Sequence, residues 1–136
     1  MNGFDPIYRF WHEEEKKMYD VIKMAFNEHG IVDAIVGAAE EESNIVEYEF
    51  DTIDGEIMIS TGLNDSKNNV IFIDDLVECK FIEDGKPRFI FWDNGFRVFG
   101  VTGGELEDNL DMVEVVGNRY THPEKYEEYK TNFKLN

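Results

Sequence analysis

The stretch that decides the fold is residues 45–60, IVEYEFDTIDGEIMIS. Apolar and acidic residues alternate along 45–50, which is the period-two pattern of a half-buried β-strand. Asp54-Gly55 is a pair that favours a tight hairpin turn, and the apolar segment 56–60 follows it. The stretch therefore predicts a β-hairpin. The side chains predicted to face inward are Val46, Tyr48, Phe50, Ile57 and Ile59.

Short apolar segments separated by polar or glycine turns continue from this hairpin towards the C-terminus. The predicted strands are 70–73, 76–82, 88–92, 96–101 and 112–116, and the turns include Asp84-Gly85, Asn94-Gly95 and Gly103-Gly104. A polar loop is expected over 61–69, where Asn68 and Asn69 tolerate left-handed backbone. Strands at a spacing of about eight to twelve residues with glycine turns are typical of a small antiparallel barrel or sandwich.

Residues 17–27 have two interpretations from their pattern alone. Apolar residues from Met18 to Phe26 fall at helical spacing, with Gly30 suited to a helix end. The same stretch also fits a strand, in which Met18, Ile22, Met24 and Phe26 alternate with other residues and face inward. The period favours the helix. The β-branched segment 31–36 fits either structure.

The C-terminal segment 121–134 predicts a short helix. Thr121 with Glu124 three residues later forms a capping-box pattern, and Pro123 suits the first turn. Tyr126, Tyr129 and Phe133 form one stripe along this helix, which either docks on the protein's own barrel or contacts a neighbouring subunit. These three residues are the candidate interface.

Composition indicates a folded globular protein. The chain has 136 residues, of which 42% are hydrophobic and 14% aromatic, a content of rings that disordered segments lack. Its one cysteine, Cys79, excludes an intramolecular disulfide framework and a zinc site with two or more thiolates, and fits a reducing cytoplasm. No apolar run is long enough for a membrane span, and the first ten residues do not resemble a signal peptide.

The net charge of −17 is unevenly distributed. Residues 24–66 contain eleven acids and no Lys or Arg, and three of the acids are consecutive, Glu40 to Glu42. Such charge argues against direct binding to nucleic acid. It indicates a solubilising surface, or an acidic surface that competes for a DNA-binding protein or docks on a basic partner.

Candidate catalytic or metal-binding residues are few. The three histidines, His12, His29 and His122, lack the spacing of a metal site. Cys79 is expected to be a small buried hydrophobe. Asp74-Asp75 and Glu78 could bind a cation, but carboxylates at the start of a strand fit a solvated edge better. The sequence therefore predicts no cofactor, no transition metal and no enzymatic activity.

Four segments resemble, in order, the YopX family of phage and prophage proteins. They are YRFW at 8–11 with KM at 17–18, STGLND at 60–65, IDDLV at 73–77, and VEVVGNRYTHPE at 113–124. The resemblance spans about residues 7–127. The chain departs from the family pattern at Asn68-Asn69, where the family has Asn-Gly, and at Asp74, where it has Gly. Segment 31–44 has no clear counterpart.

The resemblance implies a phage or prophage origin, a cytoplasmic location and a mainly β fold whose C-terminal half resembles an SH3-like barrel. It also favours a strand over 17–27. The family has no established activity and no catalytic residues to carry over. We therefore expect one YopX-like domain, 1–136, made of a β-rich part at 7–60, an SH3-like part at 61–120 and the helix at 121–134.

The expected function is a non-enzymatic binding or assembly module. Its expected partners are copies of itself and, in the alternative, a basic host DNA-binding or defence protein that it inhibits as an acidic decoy. No nucleic acid or membrane is expected to bind directly. Trp11 and Trp92 are both predicted to be buried.

Overall fold

The fold is mainly β, as predicted. The computed structural model describes residues 7–80, 86–92, 96–98 and 106–132, and these form ten strands and one α-helix. The strands are β1 Tyr8–His12, β2 Lys17–Phe26, β3 Val32–Glu41, β4 Asn44–Asp51, β5 Gly55–Asn64, β6 Val70–Phe72, β7 Asp75–Cys79, β8 Arg88–Trp92, β9 Phe96–Val98 and β10 Val113–Asn118. The helix, α1, is Pro123–Asn132. The predicted turns Asp84-Gly85, Asn94-Gly95 and Gly103-Gly104, the end of segment 96–101 and the end of segment 76–82, which includes Phe81, lie outside the described residues.

The chain divides into two compact units, Met1–Ser60 and Thr61–Asn136. Strand β5 passes from the first unit into the second. The strand order is β4-β3-β2-β1-β5-β6 in one sheet and β10-β7-β8-β9 in the other. The pairings that the structure defines are antiparallel.

The sheet of the first unit is strongly curled. Strands β4 and β1 are three positions apart in it, which would separate them by about 14 Å in a flat sheet. The ring of Phe50 on β4 nevertheless stacks on Phe10 of β1, with their centroids 5.2 Å apart. The curl encloses a core centred on Phe10, Val21 and Ile35.

The predicted hairpin across Asp54-Gly55 is wrong, although both of its strands exist. Strand β4 pairs with β3, whereas β5 lies beside β1. A 3₁₀ turn over Thr52–Asp54 carries the chain between them, and the Asp54 carbonyl accepts a hydrogen bond from the Glu13 amide. A Cβ atom on Gly55 would lie 1.8 Å from the carbonyl oxygen of Trp11. The glycine therefore allows β5 to lie close to β1.

Residues 17–26 form a strand, which confirms the interpretation that the family resemblance favoured. The predicted face is only partly correct, because Tyr19 and Val21 are the buried residues of its first half. The register with β3 shifts between Val21 and Lys23, so Ile22 is an extra residue in the ladder. Such a bulge reverses the alternation after it, and Met24 consequently packs on the same core as Val21.

Segment 31–44, which has no clear counterpart in the family pattern, forms β3 and a two-residue hairpin turn. The turn residues Glu42 and Ser43 have φ of 49° and 70°, the left-handed conformation that tight hairpins require. Strand β3 then pairs with every residue of β4. This segment therefore supplies one strand of the first sheet and the turn that joins it to β4.

The second unit is an open sheet within the described residues, and this corrects the prediction of an SH3-like barrel as a closed structure. Its core includes Ile71, Val77, Cys79, Ile90 and Val113. Cys79 is buried as predicted, and Val77 of the same strand is buried with it. The expected loop at 61–69 is shorter than predicted, because β5 continues to Asn64.

The C-terminal helix is confirmed, with Pro123 in its first turn, but the capping box does not form as predicted. The helix begins at Pro123, so His122 precedes it. The Thr121 hydroxyl instead accepts a hydrogen bond from the Asn118 amide at 3.0 Å. Thr121 therefore stabilises the turn that connects β10 to the helix.

Two large apolar side chains lie differently from the prediction. Trp11 is buried, with 6% of its surface exposed, but Trp92 is 60% exposed. Ile59, predicted inward, is half exposed, and its neighbour Met58 is buried instead. The pairing of β5 with β1 determines which side chains of β5 face the core. The alternation of residues 56–60 does not reveal this pairing.

Candidate binding surfaces

A buried threonine shapes the C-terminal end of β5. The hydroxyl of Thr61 donates to the Ile71 carbonyl at 2.7 Å and accepts from the Leu63 amide at 3.1 Å. Gly62 between them has a φ of 77°, which a side chain would strain. Thr61 and Gly62 therefore have structural roles.

Asp65 organises the loop that follows β5. Its carboxylate accepts backbone hydrogen bonds from Lys67 at 2.9 Å, Asn69 at 2.8 Å and Val115 at 2.8 Å. The side chain is buried, and its acceptors are used by the protein's own backbone. Asn68 in this loop has the predicted left-handed backbone, with a φ of 65°.

Asp74 and Asp75 are not a solvated strand edge as predicted. Asp75 is 1% exposed and accepts a hydrogen bond from the Phe72 amide at 2.7 Å. Asp74 has a φ of 74° and forms an ion pair with Arg119 at 3.3 Å. Burial raises the pKa of the Asp74 carboxyl, and the Arg119 charge opposes that rise.

The helix residues predicted as an interface contact the sheet of their own unit. Tyr126 and Tyr129 meet Phe89 edge-on, with centroid distances of 5.1 Å and 5.6 Å. The Tyr129 hydroxyl also donates to the Pro87 carbonyl. Both rings are half-buried in this position, whereas Phe133 lies outside the described residues. These two tyrosines thus pack on the protein's own sheet.

A network of hydrogen bonds covers part of the aromatic face of the first unit. The Tyr48 hydroxyl donates to the Glu41 carboxylate at 2.7 Å, and the Lys17 ammonium lies 3.5 Å from Glu41. The Tyr19 hydroxyl donates to Glu15 at 3.1 Å. Burial, followed by this bond to Glu15, raises the pKa of Tyr19 to about 12. Of the acidic run at 40–42, Glu41 therefore has a structural role.

Other carboxylates of this unit form an exposed row along β4. Glu47, Glu49 and Asp51 alternate with half-buried residues, so they lie on one face. Successive members are about 7 Å apart, which is twice the rise per residue of a strand. The ion pairs of this unit in the described residues use other acids, including Glu13, Asp20, Glu28 and Glu41.

An exposed apolar patch lies elsewhere on the first unit. We define it as Ile7 and Phe26, which line one groove, together with Ile31, whose carbonyl accepts a hydrogen bond from the Asn27 amide next to Phe26. The three side chains are 65%, 63% and 61% exposed. The groove has a volume of about 400 Å³ and is lined by Tyr8, Val21, Ile22, Lys23 and Met24 as well as Ile7 and Phe26. No sequence pattern predicted this patch, because its exposed residues come from the ends of separate strands and from a turn.

A smaller pocket of about 320 Å³ lies beside the start of β4. Its apolar wall includes Met18, Ala38 and Ile45, and the charged residues Lys17, Asp20 and Glu40 also line it. Ile45 is 58% exposed. The pocket therefore combines apolar and charged surface next to the outermost strand of the sheet.

The residues singled out for metal or nucleophilic chemistry remain apart. In the described residues, no three His, Cys, Asp or Glu side chains form a group suited to a metal ion. Cys79 is 5% exposed, and burial raises the pKa of its thiol to about 11, so its predicted burial is confirmed. His122 lies against Gly117, where a Cβ would approach its ring within 2.4 Å. No helix in the described ranges has the length and apolar character of a membrane span.

A protein-family model described as "YopX protein" matches residues 7–127. The chain belongs to the YopX family. This YopX-family fold is similar to the crystal structure of protein EF1440 from Enterococcus faecalis, with a TM-score of 0.61 and 21% identity over 90% of this chain and 99% of that chain. No curated protein matches the chain significantly.

The motifs that indicate YopX-family membership are explained by the structure as turns and core positions. Trp11 is buried, Thr61 and Asp65 bind backbone groups, and Gly117 accommodates the His122 ring. Asp74 adopts left-handed backbone where the family pattern has Gly. The candidate binding surfaces of this YopX-family chain lie outside these motifs.

Proposed function

We propose that this YopX-family chain is a non-enzymatic binding and assembly module that associates with copies of itself. Its proposed origin is a phage or prophage, and its proposed location is the cytoplasm of a bacterial host. The observation that supports self-association is the apolar patch of the first unit. Ile7 and Phe26, each more than half exposed, line one groove there, and the exposed Ile31 follows the turn that begins next to Phe26. Exposed apolar surface of this kind typically marks an interface.

The energetics of the patch suit a symmetric contact. Burying a large apolar side chain contributes roughly 1.5–3 kcal/mol, and a two-fold interface buries the same three residues on each partner. The sum is comparable to the entropic cost of association, on the order of 4–15 kcal/mol. Among the described residues that line the groove, Lys23 is the one with a charge. Two patches can therefore meet without opposing carboxylates directly.

The absence of a catalytic role is part of the same proposal. The motif residues that the structure describes contact backbone or ring partners within their own chain, as shown for Thr61, Asp65 and Asp75. A protein whose characteristic residues maintain its turns is better suited to presenting a surface than to performing chemistry. The surfaces then determine what it binds.

Light scattering tests the self-association of the purified full chain. We expect a mass that is a multiple of 15.9 kDa and a shift towards the monomer in Phe26→Ser. Ile53→Ser is the matched control, because Ile53 is 82% exposed in the same unit but does not line the groove. A monomeric mass for the unaltered chain at high protein concentration would contradict the proposal.

The alternative is an acidic decoy that inhibits a host DNA-binding or defence protein. It is favoured by the row of Glu47, Glu49 and Asp51 and by the base-free segment 24–66. A surface of regularly spaced negative charges resembles a phosphate backbone in its electrostatics. Displacement of DNA from a purified host DNA-binding protein, lost in Glu47→Gln/Glu49→Gln, would support this function.

A further inference from the structure

We propose that the outer edge of β4 is a strand-addition site for an extended, basic segment of a partner protein. The site is separate from the apolar patch. It therefore goes beyond the proposed self-association, and either proposal can fail without the other.

The first support is the position of β4 at the end of the six-stranded sheet. Within the described residues it pairs with β3 alone, on one side. Every second residue of an edge strand directs its N–H and C=O groups away from the sheet. About four residues of β4 thus present a regular row of backbone donors and acceptors.

The second support is that this edge is preformed. All eight residues of β4 pair with β3 in one unbroken register, from Asn44 opposite Glu41 to Asp51 opposite Ala34. The two-residue turn at Glu42 and Ser43 fixes that register. A rigid template of this kind adds little ordering cost to binding, because the incoming segment alone must become ordered.

The third support is the charge of the exposed face, which determines the partner. Glu47, Glu49 and Asp51 would lie beside alternate side chains of an added strand. A second copy of β4 would bring its own three carboxylates against them, and like charges on adjacent strands destabilise pairing. Lys or Arg at alternate positions of the partner would instead be attracted.

The pocket beside Ile45 adds a feature that fits the same chemistry. It lies one strand in from the edge, with apolar surface from Met18 and Ala38 and the exposed Glu40 carboxylate beside it. Lys17 also lines the pocket, and its ammonium is paired with Glu41 at 3.5 Å. The long side chain of a basic residue has an apolar stem and a charged end. A Lys or Arg of the added strand can lay its stem across Ile45 and place its charge near Glu40.

A labelled ten-residue peptide that alternates Lys and Val tests the site by fluorescence anisotropy with the full chain. One control peptide has every backbone amide N-methylated, which keeps the charge but removes the hydrogen-bond donors. A second control replaces each Lys with Glu. We expect the unmodified basic peptide to bind at least about tenfold more tightly than either control, a difference of about 1.4 kcal/mol or more.

Variants of the protein locate the binding. Glu47→Lys/Glu49→Lys should weaken binding of the basic peptide about tenfold or more. Glu56→Lys, at an exposed position on β5, should leave that binding unchanged. Both positions of the double variant are exposed, and a far-UV CD melt verifies that it folds. Equal binding of the N-methylated peptide, or no binding of the basic peptide, would overturn strand addition.

Light scattering on the same variants separates this site from self-association. A change in subunit mass caused by Glu47→Lys/Glu49→Lys would mean that a second copy covers β4, and the proposed partner would be wrong. An unchanged mass together with lost peptide binding supports the addition of a basic partner strand to β4. The Phe26→Ser variant should retain peptide binding whether or not its mass changes.

Discussion

The guanidinium of Arg119 lies 4.5 Å from the ring centroid of Tyr126 and 3.3 Å from Oδ2 of Asp74. Arg119 follows β10, Tyr126 is on the helix, and Asp74 lies between β6 and β7. The Arg119 amide also donates to the Asp74 carbonyl at 3.0 Å. One arginine therefore joins three segments of the second unit and holds the helix on its sheet.

Replacing this arginine should loosen the helix. We expect Arg119→Ala to lower the free energy of unfolding by about 1–2 kcal/mol, because it removes a cation–π contact and a charged hydrogen bond. Urea unfolding followed by CD measures the change. Lys125→Ala, an exposed position on the same helix, is the control and should change stability by less than about 0.5 kcal/mol. Equal effects of the two substitutions would contradict the role given to Arg119.

Gly55 should tolerate no side chain. In Gly55→Ala the new Cβ would overlap the Trp11 carbonyl oxygen, 1.8 Å away, so β5 must move away from β1. We expect a loss of about 2 kcal/mol or more, typical of a substitution that forces a backbone shift. Gly30→Asn is the control, since Gly30 has a φ of 76° with open space around it and Asn tolerates that conformation. Thermal melts that rank the two variants in the opposite order would refute this account of Gly55.

The two tryptophans should differ sharply in their contribution to stability. Trp11→Ala removes a buried ring and should cost about 3–5 kcal/mol, whereas Trp92 is 60% exposed and its replacement by Ala should cost markedly less. Chemical denaturation of both variants compares them. A quenching experiment with iodide gives independent evidence, because the fluorescence that remains in Trp11→Ala should be the more accessible. Equal stability losses would show that Trp92 is as buried as Trp11.

The Tyr19 hydroxyl should ionise at a higher pH than an ordinary tyrosine does. Its pKa of about 12 in the folded protein exceeds the ordinary value of 10.0, first because of burial and then because of its bond to Glu15. The folded state thus binds this proton more tightly than the unfolded chain does. Its stabilising contribution is complete below pH 10 and is lost as the pH rises towards 12. Absorbance at the tyrosinate band should show one fewer late-ionising group in Tyr19→Phe, and an unchanged titration curve would exclude the assignment.

Salt should strengthen self-association. The net charge of −17 opposes the approach of two copies, and added salt screens that repulsion while leaving the apolar contact of the patch intact. Sedimentation or light scattering at about 0.05 and 0.5 M NaCl should show a lower dissociation constant at the higher concentration. An assembly that dissociates as salt rises would be held by ion pairs instead, and the apolar patch would not be its main contact.

Local alternation was sufficient to predict most strands, but not which strands are neighbours. Residues 45–50 and 56–60 are strands as expected, yet they belong to different positions in the sheet. Their separation depends on the pairing of β5 with β1, more than forty residues away in sequence, which no local pattern encodes. The bulge at Ile22 likewise changes which residues of β2 are buried.

The candidate surfaces were harder to predict than the fold. The stripe of Tyr126 and Tyr129 is an aromatic helix face that fits either an internal or an external contact, and the decisive fact is the position of Phe89 on β8. The apolar patch combines Ile7, Phe26 and Ile31, each of which is unremarkable in sequence. The acidic row on β4 was the part that alternation could indicate, because it depends on one strand alone.

The residues that stabilise the turns are different from the exposed residues of β4. The chain is therefore a scaffold whose binding specificity can be redesigned. The buried Thr61 hydroxyl and Asp65 carboxylate satisfy the backbone of their own unit, whereas Glu47 and Glu49 support none of the hydrogen bonds found for those turns. Exposed residues of β4 can therefore be exchanged at little cost in folding. A library randomised at these positions would select new binders from the same framework, and divergent relatives could by the same route acquire different targets while retaining their recognisable motifs.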